Sequence, residues 1–242
     1  MSKPILQVSN LTKTFGNLIA VNDVSLQIYE EEILGLIGPN GAGKTTLFNA
    51  ITGLGKPDTG QVLLKNEDIT NLLPHQICKL GMSRTFQVTK AFSNMTVENA
   101  VRVGAYNRRG EEEVDAKVDE VISFCDLQEI RRWKCGDLGL ASLRRVELAR
   151  SMATEPDLLL LDEAGAGLNA AELTELMAIL RRLNQGMNTT LCVVEHVMPM
   201  VMGLCQRIVV LDSGKLIAEG VPSEISNDQR VIEAYLGKRA LR

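Results

Sequence analysis

The chain has 242 residues, 45% hydrophobic and 23% charged, a globular composition long enough to bury a sizeable core without disulfide or metal staples. Its 26 basic and 30 acidic side chains leave a formal charge of −4, which argues against nucleic-acid binding driven by overall charge. Five cysteines without a C-x-x-C pair and two histidines argue against a zinc site, and no run of about 18 apolar residues is present to span a bilayer.

Met1 to Pro4 contain no apolar stretch of signal-peptide length. Ile5 to Asn10 and Leu18 to Ile28 alternate apolar and polar residues loosely, as half-buried strands do. Ile33 to Ile37 is a continuous apolar run, and Leu158 to Leu161, Thr190 to Val194 and Arg207 to Leu211 are similar. Such runs predict strands of a parallel sheet buried on both faces. Between Thr89 and Arg150 the chain is charged, strand-poor and helical in pattern, with Glu111-Glu112-Glu113 at a helix start. This region, about 89–150, reads as a helical subdomain inserted into one domain whose core takes 1–88 and 151–242. Leu173, Leu176, Met177, Leu180 and Leu183 keep helical spacing behind a candidate N-cap at Asn169. Val197 to Leu211, the best candidate for a membrane span, is interrupted by Pro199, Gln206 and Arg207. Strands alternating with helices predict an open doubly wound α/β sheet whose ligands lie beyond the carboxyl ends of its strands. The paired arginines (Arg108-Arg109, Arg131-Arg132, Arg144-Arg145, Arg181-Arg182) are expected on solvated helix faces, and the cysteines as small apolar residues in a reducing cytoplasm.

The segment Gly38-Pro39-Asn40-Gly41-Ala42-Gly43-Lys44-Thr45-Thr46 matches G-x-x-x-x-G-K-S/T in full. It follows an apolar strand and precedes a helix predicted from Lys44 to Ile51, the context this motif requires. Its glycines let successive N–H groups turn inward on phosphate oxygens, and the helix adds its positive dipole end. Lys44 reaches the β- and γ-phosphates in such a loop, and the Thr45 hydroxyl can ligate Mg²⁺.

Four leucines, Leu158 to Leu161, deliver Asp162 and Glu163 at a strand end. Taken alone, a D-E pair there marks a strand reaching the surface. Beside a phosphate loop, Asp162 fits the acid that holds Mg²⁺ through water, and Glu163 the base that polarises an attacking water. His196 ends another apolar strand, Leu191 to Glu195. A lone histidine is ordinarily structural, but one placed here can also hydrogen-bond a γ-phosphate, and both readings stay open.

The order of these motifs resembles the ATPase subunit of ABC transporters: the phosphate loop, Thr85-Phe86-Gln87, R-R-V-E-L-A-R (Arg144 to Arg150), L-L-L-L-D-E and a strand-end histidine. The resemblance spans Ile5 to Gly237. Arg84-Thr85-Phe86-Gln87, Gly165 to Asn169, Glu195-His196 and the ending Val231 to Gly237 look like the branched-chain amino acid importer group, with the lipopolysaccharide-export ATPase as a close relative. It implies an α/β fold with a P-loop NTPase core and mostly parallel sheet, an N-terminal antiparallel β subdomain and the inserted helical subdomain. It implies ATP and Mg²⁺ as ligands, with Glu163, His196 and Gln87 catalytic and Thr45, Gln87 and Asp162 around the metal. Phe15 matches the aromatic that stacks on adenine and Val21 the small apolar residue beside the sugar. Read without the family, Phe15 is a core residue and Gln87 an exposed loop amide. The expected partners are transmembrane permease subunits and a second ATPase subunit, with no nucleic acid. The expected place is the cytoplasmic face of the inner (plasma) membrane, peripheral through the permeases.

One departure bears on mechanism. The family places Leu-Ser-Gly-Gly-Gln, or a near variant, before the R-R-V-E-L-A-R helix, and this chain has Leu138-Gly139-Leu140-Ala141-Ser142. Gly139 replaces the serine that donates to the γ-phosphate held by the other subunit. Ala141 replaces a glycine at the point of close approach, and Ala164 stands where proline follows the D-E pair. Losing one charge-assisted hydrogen bond removes about 1.5–3 kcal/mol. The expectation is an asymmetric heterodimer, because a homodimer pairs two impaired sites. A nucleotide-binding regulatory module with little turnover, and an exporter ATPase of the lipopolysaccharide type, are the competing readings.

Overall fold

A computed structural model describes residues 3–85, 92–108 and 110–236. Strands β1 (Pro4–Phe15), β2 (Leu18–Tyr29) and β3 (Ile33–Ile37) lead into helix α1 (Lys44–Ile51). Strands β4 (Thr59–Leu64) and β5 (Glu67–Asp68), helix α2 (Pro74–Lys79) and strand β6 (Met82–Arg84) follow. Helices α3 (Val97–Ala105), α4 (Glu111–Phe124) and α5 (Leu140–Met152) come before strand β7 (Leu158–Asp162). The chain then alternates through α6 (Ala170–Met187), β8 (Thr190–Val194), α7 (Met198–Leu204), β9 (Arg207–Asp212) and β10 (Lys215–Gly220), and ends in α8 (Pro222–Ile225) and α9 (Gln229–Leu236).

Among the described residues the strands form two sheets. One is antiparallel, in the order β2-β1-β4-β5. The other runs β10-β9-β3-β8-β7-β6, parallel except for β10 against β9. The continuous apolar runs have the physical meaning their composition predicts. In β7, Leu159 and Leu161 join the core under the helices, while Leu158 and Leu160 join the core against the antiparallel sheet. β3, β8 and β9 divide their side chains in the same way, so the parallel sheet is dry on both faces. Leucine-to-alanine changes at such positions typically cost about 2–5 kcal/mol.

β1 extends to Phe15, beyond the expected Asn10, because register shifts along the β1–β2 pair disturb the alternation of side chains. β4, β6 and β10 carried no recognised periodicity, being short or half exposed. α6 begins as expected: the Asn169 side chain accepts from Ala171 N (3.0 Å) and Glu172 N (3.1 Å), and Glu172 reaches back to Asn169 N.

Cys125, Cys135, Cys192 and Cys205 are buried, and burial pushes the Cys125 and Cys205 thiols up to about 12. The expectation for the arginine pairs fails at Arg144. It is buried beside Glu147 (3.3 Å) because α5 is covered on the side it faces. No helix of the described residues is long and apolar enough to cross a membrane.

Candidate functional site

The β3–α1 loop owes its course to two glycines packed against other backbone. A Cβ on Gly38 (φ 154°) would lie 2.0 Å from Leu211 O, and one on Gly43 (φ 102°) 2.2 Å from Ala20 O. Any side chain there forces the loop off its path. Gly41, at φ 80°, has open space around it. The loop ends with Gly43 as the N-cap of α1, and Leu47 N bonds back to Gly43 O at 2.9 Å. The N–H groups of Lys44, Thr45 and Thr46 precede that first intrahelical bond, so they have no helical acceptor of their own and form an anion-binding end.

Lys44 is buried, and its Nζ donates to Gly38 O (2.7 Å) and Pro39 O (3.0 Å). Burial pulls its ammonium below the usual lysine range, and the nearby Glu163 and Asp162 carboxylates oppose that pull. The loop lines a cleft of about 510 Å³ through Asn40 to Thr46. Phe15, Leu18, Ile19, Ala20, Glu163 and the Ser213-Gly214 turn complete its wall.

Phe15 is 58% exposed beside Leu18 and Ile19, so it is a cleft residue rather than a core one. Lys13 Nζ stands 5.6 Å from its ring centroid. Val21 does not face the cleft: it is fully buried in the core of the antiparallel sheet. The pairing passes from Lys13–Val21 to Thr14–Ile19, leaving Ala20 as an extra residue. This bulge turns Ala20, and not Val21, onto the wall.

Asp162 and Glu163 sit at the carboxyl end of β7, and Asp162 is buried. Its Oδ2 accepts from Arg84 Nη2 at 2.6 Å, and its backbone N–H donates to Thr85 Oγ1 at 3.2 Å. Glu163 leaves the strand in the left-handed region, φ 51°, with its N–H on Val194 O at 2.9 Å. For a residue with a side chain this conformation is strained, and it projects the carboxylate onto the cleft wall. His196 Nδ1 lies 3.8 Å from Glu163 Oε1, too far for a hydrogen bond.

The Thr45 hydroxyl and Asp162 carboxylate are hard oxygen donors of the kind Mg²⁺ takes when substrate phosphates supply most of its shell. Among the described residues no group of three or more His, Cys, Asp or Glu side chains is placed to hold a metal ion. Gln87 lies outside the described residues.

None of Leu138 to Ser142 is among the residues lining this cleft. Gly139 is the N-cap of α5 (φ −69°, ψ 163°) with no side chain to cap the helix, and a Cβ added there meets nothing within 4 Å. A second cavity, about 470 Å³, opens between α2, β6, α3 and α5, lined by His75, Cys78, Phe92, Val103, Asn107 and Arg150 among others.

Arg84, Ser213-Gly214 and Glu195 were not singled out by sequence reasoning. Arg84 appeared only inside a four-residue resemblance, and Ser-Gly is an ordinary turn dipeptide. Glu195 is fully buried and accepts from Gly165, His196 and Val197 backbone N–H groups.

Residues 21–166 match the family model described as ABC transporter, and residues 215–240 the one described as branched-chain amino acid ATP-binding cassette transporter. The high-affinity branched-chain amino acid transport ATP-binding protein LivG of Escherichia coli is 40% identical, covering 98% of this chain and 100% of that one. The lipopolysaccharide export system ATP-binding protein LptB of Acidithiobacillus ferridurans is 33% identical, covering 96% and 97%. Among solved structures, the ADP conformation of MJ1267, an ATP-binding cassette of an ABC transporter, superposes with a TM-score of 0.90 at 29% identity, covering 98% and 100%.

Proposed function

We propose, from the premise that the chain belongs to the ABC transporter family as one of its ATP-binding, ATP-hydrolysing subunits, that it drives a branched-chain amino acid-type importer. The observation that carries the reading is the Glu163 carboxylate on the wall of the cleft that the phosphate loop also lines. The match of residues 215–240 to the branched-chain model and the similarity to LivG favour this group over the exporter type.

In this reading the triphosphate lies on the loop N–H groups. Lys44 exchanges its bonds to Gly38 O and Pro39 O for bonds to the β- and γ-phosphates. The ring of Phe15 takes the base. Glu163 accepts a proton from the water that attacks the γ-phosphorus, and His196, beside it, donates to a γ-oxygen. Thr45, Gln87 and Asp162 would hold Mg²⁺, which when bound would neutralise charge developing on the phosphates. Preorganised donors and a fixed base supply most of the catalysis in phosphoryl transfer.

The altered segment Leu138 to Ser142 supports an asymmetric pair, in which a second ATPase with an intact Ser-containing motif closes over this chain's nucleotide. In this reading a permease segment docks in the cavity between α2, β6, α3 and α5, and the chain sits peripherally on the cytoplasmic face of the plasma membrane. ATP binding biases closure of the pair, and hydrolysis with product release resets it.

The test assays the purified chain alone and with the second ATPase of its transporter, each beside a Glu163→Gln variant. Tight ATP binding by every sample is expected, with rapid Glu163-dependent hydrolysis only in the mixed pair. Rapid hydrolysis by the lone chain contradicts the asymmetric arrangement. ATP bound without turnover in the full complex supports the regulatory module instead.

A further inference from the structure

Arg84 and Asp162 are both dehydrated, each side chain 7% exposed, and they form a direct ion pair between the ends of β6 and β7. The other arm of the guanidinium reaches the helix that carries the phosphate loop. Nη1 donates to Asn49 Oδ1 at 2.7 Å and to Thr52 Oγ1 at 3.3 Å, and the Arg84 Cζ stands 5.5 Å from the Phe48 ring centroid. One planar fork thus spans from α1 to the strand end bearing both carboxylates. Among the described residues, Asp162 Oδ2 receives this hydrogen bond and no other side chain donates to the carboxylate.

Two dehydrated charges in this geometry do not part easily, because separation leaves each buried and unpaired. Lysine cannot reproduce the arrangement, since a point charge serves one side of the fork at a time.

We propose that Arg84 is a positioning residue for Asp162: braced on α1, it holds the carboxylate by one oxygen and leaves the other as acceptor for the hydrated Mg²⁺ that arrives with the nucleotide. The inference rests on the assignment of Asp162 to Mg²⁺ above. It predicts that Arg84 governs the metal response of nucleotide binding and not the affinity for nucleotide itself.

The experiment follows binding of a fluorescent ATP analogue to the full chain, first in EDTA and then across a Mg²⁺ titration. For Arg84→Met the affinity in EDTA stays within about two-fold of the unaltered chain, while the Mg²⁺ concentration at half effect rises about ten-fold or more. Arg84→Lys falls between the two. Asn49→Ala, which removes part of the brace and keeps the ion pair, shifts the Mg²⁺ midpoint in the same direction by less. If Arg84→Met fails to fold by circular dichroism, the lysine and Asn49 variants carry the test. An unchanged midpoint in folded variants overturns the proposal. So does a lower midpoint, which makes the guanidinium a rival of the ion, or an equal loss of affinity with and without Mg²⁺, which places its effect on the loop. An Asp162→Asn variant with a normal Mg²⁺ response refutes the Asp162 assignment, a separate failure.

Discussion

Glu195 Oε1 accepts the Gly165 backbone N–H at 2.6 Å from a position with no solvent exposure, while its Oε2 accepts from His196 N at 3.2 Å and Val197 N at 3.4 Å. One carboxylate therefore joins the segment that follows Glu163 to the segment that carries His196. Burial pushes its carboxyl above the usual range, and the three N–H donors pull it back. Alanine at 195 leaves the Gly165 N–H buried without its partner, at a cost of about 1–3 kcal/mol in urea unfolding. Turnover of the assembled complex falls with it, because Glu163 and His196 lose their common tether. Equal stability and turnover in Glu195→Ala would show the carboxylate to be dispensable.

The exposed ring of Phe15, with Leu18 and Ile19, offers a base a stacking face. Stacking is indifferent to the identity of the base, so Phe15→Ala weakens ATP and GTP alike, by about 1–3 kcal/mol, whereas Phe15→Tyr changes neither. Equilibrium binding of both nucleotides to the three proteins checks this. Selective loss of ATP would point to a reader of the adenine edge elsewhere.

Asp58 ties down the strand end that leads to Phe15. It accepts from Thr14 N (2.6 Å), Thr14 Oγ1 (2.7 Å) and Lys13 Nζ (2.9 Å). The Thr14 hydroxyl, then Lys13, then the Thr14 N–H lower its carboxyl from 3.8 to about 2. A depressed folded value means the stabilisation is complete above the unfolded value and disappears as pH falls through the folded one. The difference in melting temperature between the chain and Asp58→Asn is therefore full above about pH 4 and vanishes toward pH 2. A difference independent of pH across that window would assign the effect to shape and not to charge.

Restoring the altered motif is structurally permitted. The backbone at Gly139 is extended (φ −69°, ψ 163°) and an added Cβ has free space, so serine enters without strain and also caps α5. The double change Gly139→Ser with Ala141→Gly is expected to raise ATP turnover of the lone chain about ten-fold or more, the worth of one charge-assisted hydrogen bond. Steady-state hydrolysis at several protein concentrations measures it. No gain at any concentration would mean that something other than the motif blocks self-pairing.

Much of the site was legible because its chemistry is local. Gly38 to Thr46 specify a loop whose conformation depends on glycines within that segment, and four leucines before Asp162 read as a strand buried on both faces. The Asn169 cap was equally readable, since its partners lie within three residues. Val21 lies in the core instead of on the cleft wall for a reason of register: a bulge at Ala20 shifts which side chain lines the cleft, and such a bulge leaves no mark in composition.

By itself, then, the sequence determined a phosphate-binding loop, a carboxylate pair at a strand end and an alternating α/β core, each set by neighbours a few positions apart. Only the tertiary structure decided that Arg84 holds Asp162, 78 positions away, and that Glu195 holds Gly165, 30 away. It also brought Phe15 and Ser213-Gly214 to one cleft. These contacts depend on strand order and on which polar groups are shut away from water together, and burial is a property of the whole fold that no local spacing encodes.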